Sequence, residues 1–199
     1  MGRNGVGKTT LLRAIMGLVR VRSGSVTFGG REFRDADASE RARAGIGYVP
    51  QGREIFAQLT VEENLRVGVF ARTDRSGDIP ELVFRLFPSL RTMMNRRGGD
   101  LSGGQQQQLA IARALTIGPK CVLLDEPTEG IQPNIVHEIG LVIRRLYEEE
   151  KLSVLLVEQK LPFARKVGER FFLMERGSIV ASGKMDELSD ELVQRHLAM

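Results

Sequence analysis

The chain has 199 residues, 42% hydrophobic and 27% charged, the make-up of one globular domain with a sizeable buried core. No apolar run approaches the roughly 18 residues of a membrane span, the opening residues lack the apolar stretch of a signal peptide, and one cysteine, Cys121, excludes a disulfide framework or multi-cysteine metal site; a cytosolic chain is expected. The 29 Lys and Arg against 25 Asp and Glu, a formal +4, are scattered rather than gathered in a stripe, so no nucleic-acid partner is expected, while contact with anionic headgroups or a membrane protein's cytosolic loops is compatible.

In chain order, a glycine-rich opening runs into a helix predicted over 8–19, with Leu11, Leu12, Ile15 and Leu18 as its inner face. A short strand at 25–28 closes on Gly29-Gly30, and a second at 46–49 ends at Pro50. From 59 to 97 the pattern changes to short helical pieces punctuated by Pro80 and Pro88 without a β-rich run, as in a helical subdomain inserted into a sheet core of 1–58 and 98–199. Met93-Met94 reads as packing within it. A helix follows at 105–117, then a buried strand at 121–124 bounded by Pro119 and Pro127, with Cys121 as core packing. The stretch 134–149 is an amphipathic helix with Ile135, Ile139, Ile143 and Leu146 on one face, and 153–157 is another buried strand. Runs at 171–174 and 179–181 flank Arg176-Gly177-Ser178 as a hairpin, and a short helical tail ends the chain. Alternation of buried strands and helices predicts an α/β fold with a mostly parallel sheet. His137 and His196 fall on predicted helices as surface residues.

Gly2-Arg3-Asn4-Gly5-Val6-Gly7-Lys8-Thr9 fits G-x-x-x-x-G-K-[ST] and opens directly into the first helix, followed by Thr10. Glycines let successive backbone N–H groups curl around a phosphate, and the helix N-terminus adds free donors and a positive dipole end. In that loop Lys8 reaches the β- and γ-phosphates and Thr9 holds Mg²⁺. The pattern calls for a strand in front of the loop, and one residue, Met1, stands there. The expectation is a chain with a truncated N-terminal β-region, cut short or given a misassigned start, and hence a sheet edge or gap at that place.

A second glycine turn, Leu101-Ser102-Gly103-Gly104-Gln105, also stands at the mouth of a helix, where it is either an ordinary cap or a second anion site. Cys121-Val122-Leu123-Leu124-Asp125-Glu126 then delivers two carboxylates at the C-terminal end of a buried strand, the usual ligand edge of an open α/β sheet. Asp125 suits Mg²⁺ coordination, directly or through water, and Glu126 is placed to polarise a water as general base.

Together with Gln51 after a strand and Pro127-Thr128, these motifs resemble the nucleotide-binding subunits of ABC transporters over essentially the whole chain, a P-loop NTPase fold of the ABC ATPase type. Tyr48 to Phe56 and Leu156-Val157-Glu158-Gln159 are similar to importers of branched-chain amino acids and urea, and Glu126 to Pro133 with Gln105–Gln108 to the urea type. The resemblance implies two such domains, identical or not, dimerising head to tail around two ATP molecules, with Ser102, Gly103, Gly104 and Gln105 of one facing the phosphates on Gly2–Thr10 of the other. It implies that Gln51 contacts Mg²⁺ or the attacking water and that 59–97 receives the permease subunits, served indirectly by a solute-binding protein. The expected cofactors are ATP and Mg²⁺, the expected location the cytoplasmic face of the membrane. Gln159 stands where the family usually has a γ-phosphate-contacting histidine; it can donate a hydrogen bond but not carry a proton. Gln132 stands where an aspartate is usual. Arg53 is either a permease contact or a solvated loop charge. The alternative function is a folded interaction partner that neither binds nor hydrolyses ATP, because the strand under the loop is lacking.

Overall fold

The computed structural model describes residues 1–72 and 77–197; positions 73–76 of the expected helical subdomain lie outside them. Helix α1 (Lys8–Ile15) follows the glycine loop and is shorter than the periodicity suggested. Gly17 takes φ 74, and the guanidinium of Arg41 closes the helix end by donating to the carbonyls of Ala14 and Ile15. Leu12 is buried, but Leu11 and Leu18 are exposed rather than inward. A minimal hairpin, β1 (Thr27–Phe28) with β2 (Arg31–Glu32), begins two residues later than expected. Helix α2 (Ala38–Arg43), capped by Asp37, supplies Arg41.

Strand β3 (Ile46–Val49) leads to three helices, α3 (Val61–Val69), α4 (Glu81–Leu86) and α5 (Pro88–Thr92). Thr60 starts α3 with a reciprocal capping box to Glu63, and Pro88 starts α5 at a position where no N–H is needed. Helix α6 (Gly103–Thr116), strand β4 (Cys121–Asp125), helix α7 (Pro133–Glu148) and strand β5 (Ser153–Val157) follow. Strands β3, β4 and β5 lie side by side in that order, all parallel, with Ile46 opposite Cys121 and Cys121 opposite Ser153. Because β4 is central, its residues are apolar on both faces. Val122 and Leu124 join Leu109, Ile111, Ile139, Ile143 and Leu146 of α6 and α7, and the same cluster takes in α3–α5 through Leu65, Val83, Leu86 and Leu90. Leu123 turns the other way, onto Leu12 and Met16. The sheet is thus sandwiched between α1 and the α6–α7 pair, which aims the C-terminal ends of β3, β4 and β5 at the N-terminus of α1.

Helix α8 (Leu161–Val167), the antiparallel pair β6 (Arg170–Glu175) and β7 (Ser178–Lys184), and α9 (Asp190–His196) complete the chain. Arg176 and Gly177 both have positive φ, 46 and 82, as a two-residue turn matched to strand twist requires. The gap expected before the glycine loop is a physical slot. No described strand joins β5 to β6, and a cavity of about 750 Å³ lies between them, with Leu11, Leu155, Val157, Phe171, Phe172 and Ile179 among its walls. Met1 lines it: its amine donates to Phe172 O at 2.7 Å and its carbonyl accepts from Met174 N at 2.8 Å, the pattern of a parallel strand opposite Leu173. Burial, then Lys8, lowers the pKa of that amine to about 6. Among the described residues no helix is long and apolar enough to cross a membrane.

Candidate active site

Gly5 and Gly7, with φ 77 and 104, hold the left-handed backbone that turns the loop around the N-terminus of α1. At Gly2 a β-carbon would stand 2.5 Å from Met174 O, so only glycine allows the loop to lie against β6. Lys8 is buried: its Nζ donates to Gly2 O (2.9 Å) and Arg3 O (2.8 Å) and lies 3.5 Å from Glu126 Oε1. A cleft of about 360 Å³ opens here. One wall is Asn4, Gly5, Gly7, Lys8, Thr9 and Thr10; the other is Gln51, Glu126, Glu129 and Gln159. Gly2, Arg3 and Val6 are not among the walls of the cleft, and the carbonyls of the first two accept from Lys8.

Glu126 takes φ 48, uncommon for a residue with a β-carbon. Its N–H donates to Val157 O at 2.9 Å, and Gln159 Nε2 donates to its Oε1 at 2.5 Å. Asp125 is only 1% exposed, and among the described residues neither carboxylate oxygen has a close hydrogen-bond partner, the Thr9 hydroxyl being the donor group that faces it. Burial raises its pKa above the usual carboxylate value; Thr9 and Lys8 pull against that, while Glu126 and Glu129 add to it. An unsatisfied buried carboxylate behind a threonine hydroxyl is what a hydrated divalent cation relieves, and the oxygen-rich set of Asp125, Thr9 and the Gln51 amide suits Mg²⁺. Among the described residues no three His, Cys, Asp or Glu side chains gather around a metal position, so such an ion needs phosphate oxygens and water to complete its shell.

A model of the ABC transporter family matches residues 1–129. The chain belongs to that family. It is 42% identical over 182 residues to the high-affinity branched-chain amino acid transport ATP-binding protein BraG of Pseudomonas aeruginosa, covering 90% of this chain and 77% of that one. It is 38% identical over 189 residues to a probable branched-chain amino acid transport ATP-binding protein, LivF, of Archaeoglobus fulgidus, covering 94% and 80%. Among solved structures, a dimeric post-hydrolysis state of the ATP-binding cassette MJ0796 bound to ADP and Pi superposes with a TM-score of 0.81 at 28% identity, over 93% of this chain and 83% of that one. The fold expected from the sequence, an α/β ABC ATPase cassette, is therefore the fold observed.

Within this ABC cassette Ser102, Gly103, Gly104 and Gln105 are not among the walls of the cleft. Ser102 Oγ accepts from Gln105 N, and Gln105 Oε1 accepts from Ser102 N, a capping box that starts α6. Gln51 does line the cleft, where its Nε2 donates to Glu129 Oε2 at 2.9 Å. Glu129 was not singled out by sequence reasoning, although it lies inside the Glu126–Pro133 run; alternation of charge in a loop carries no periodic signal. Arg53 is not a fully solvated loop charge, since it is half-buried and its guanidinium donates to Gln106 Oε1 of α6 at 3.3 Å. His137 is exposed as expected, but His196 is half-buried with Nδ1 3.1 Å from Glu175 Oε2. Cys121 is partly buried against Leu12, Ile46 and Leu123, and burial raises its thiol pKa. Met93 is buried in the main core, with Met94 against it.

Proposed function

We propose that the chain is the ATP-binding, ATP-hydrolysing subunit of an importer, paired head to tail with a second such subunit on permease subunits at the cytoplasmic face of the membrane. The observation that carries this reading is the meeting of Lys8, Thr9, Asp125 and Glu126 at the N-terminus of α1. A triphosphate in the cleft receives the loop N–H groups from Gly2 to Thr10 and the ammonium of Lys8, exchanged from the carbonyls of Gly2 and Arg3. Glu126 polarises a water and accepts its proton; the bond from Gln159 Nε2 occupies Oε1 and leaves Oε2 for the water. Thr9, Gln51 and Asp125 would hold a Mg²⁺ ion, which would supply neutralisation of phosphate charge. Ser102, Gly103, Gly104 and Gln105 lie outside the chain's own cleft and face ATP on the mate, the N–H groups of Gly103 and Gly104 being those that the capping box does not use. Neither half-site offers enough positive charge alone, so nucleotide favours the closed pair by mass action and its hydrolysis releases it.

The segment 59–97 serves as a helical subdomain that meets the permease, which a solute-binding protein feeds. Branched-chain amino acids are the favoured solute, because BraG and LivF carry that description; urea is the second reading, resting on the spelling of Glu126–Pro133 and Gln105–Gln108. A folded partner without nucleotide chemistry has no use for an unsatisfied carboxylate at Asp125, which argues against that alternative. Glu126→Gln tests the proposal: it should abolish turnover while trapping an ATP-bound dimer detectable by light scattering. Continued hydrolysis by the variant removes Glu126 as base and this reading with it.

A further inference from the structure

Behind the cleft lies a buried carboxylate that the hydrolytic roles above leave unused. Glu158, 3% exposed, follows the last residue of β5. Its Oε1 accepts from the backbone N–H of Gln159 (2.8 Å) and of Lys160 (3.0 Å); its Oε2 accepts from Thr128 Oγ1 (2.7 Å). Lys160 closes the circuit by donating from Nζ to Thr128 O at 2.8 Å. Two loops that the chain places 30 residues apart are therefore pinned to each other by one side chain and its neighbour.

Each pinned loop carries members of the cleft. Gln159, whose N–H Glu158 holds, donates to Glu126; Glu129, next to Thr128, accepts from Gln51. Glu126 itself sits at φ 48, a conformation that persists only where surroundings over-determine it. A buried carboxylate satisfied by three donors is rigid, since releasing any donor leaves an acceptor without water to replace it.

We infer that Glu158, through Thr128 and Lys160, is a positioning residue that locks the Gln159 amide onto Glu126 and sets the loop bearing Glu129 in register with Gln51. This deepens the hydrolytic reading of the site and rests on it. A carboxylate is suited to the place because it accepts on both oxygens. An apolar residue there leaves two backbone N–H groups and a hydroxyl unpaired.

The test uses the purified full chain with two variants, Glu158→Ala and the nearly isosteric Thr128→Val, which leaves Glu158 and its backbone partners in place. Two quantities are read: steady-state ATP hydrolysis, and the Gln159 side-chain amide resonances in a proton–nitrogen correlation spectrum, assigned by their loss in Gln159→Ala. The expected result is a kcat about tenfold lower with KM within about twofold, and Gln159 amide signals displaced toward those of a free side chain. Should Glu158→Ala fail to fold, Thr128→Val supplies both readings. Unmoved Gln159 resonances overturn the inference even where activity falls, because a merely structural role would leave them in place; so does a change confined to KM. If Glu126→Gln keeps its turnover while the amide signals still move, the hydrolytic assignment fails and the clamp stands as a structural one.

Discussion

Asp125→Asn separates what the site costs the protein from what it does for the substrate. The wild-type carboxylate is 1% exposed with no close hydrogen-bond partner for either oxygen among the described residues, a situation that costs about 1–3 kcal/mol for a buried polar group and more for a charge. Lys8 and Thr9 offset part of this. The amide keeps the volume and discards the charge, so without nucleotide or magnesium the variant should be about 1 kcal/mol more stable, a rise of roughly 2–4 °C in Tm for a chain of this size. The pH dependence has a definite sign. A carboxyl whose folded pKa is raised binds its proton more readily in the native state, so stability is gained as pH falls through that raised value and levels off at the ordinary carboxylate value; Asp125→Asn lacks this component. With Mg²⁺ and ATP the order reverses, since the ligand stabilises only a form that binds it and the wild type binds it better. Differential scanning calorimetry at several pH values, with and without Mg²⁺–ATP, reads all three effects. A variant that melts below the wild type in the absence of ligand, or that gains as much from Mg²⁺–ATP, refutes the reasoning.

Lys8→Ala should weaken ATP binding by about tenfold or more, roughly 1.4 kcal/mol, by titration calorimetry; an unchanged Kd removes Lys8 from the site. Arg41→Leu strips donors from the carbonyls of Ala14, Ile15, Arg34 and Ala36, where the buried guanidinium has no carboxylate partner among the described salt bridges, and should lower unfolding free energy in urea by about 3 kcal/mol; a loss under about 1 kcal/mol would show that the helix end closes without it. Extending the chain ahead of Met1 by an apolar strand of about five residues, within a segment of roughly thirty that could form a few strands, should fill the slot between β5 and β6. It turns a partly buried amine with a pKa of about 6 into a peptide N–H and covers Phe172, Ile179 and Leu11, exposed by 48%, 49% and 39%. Tm and ATP affinity should rise together, and an extended form no more stable than the 199-residue chain would show that the slot is not a strand position.

The glycine loop, the run of Cys121–Glu126 and the three parallel strands were legible in the sequence because each rests on local chemistry. Glycines permit a backbone no other residue adopts cheaply, and an unbroken apolar run has to lie between two neighbours. The length of α1 was not legible, since Leu11, Leu12, Ile15 and Leu18 keep helical spacing while the helix stops where Gly17 and the distant Arg41 end it. Only the tertiary structure decided the polar pairs around the cleft, Gln51 with Glu129 across 78 residues and Gln159 with Glu126 across 33. Burial of Glu158 and isolation of Asp125 belong to the same class: adjacent carboxylates and amides on a surface loop would have read identically in sequence. The sequence by itself determined which atoms can meet a phosphate, because that depends on residue type and short spacing. Which carboxylate is anchored, which is left without a donor and which faces water was settled by packing β4 between β3 and β5, since desolvation depends on everything that folding brings near.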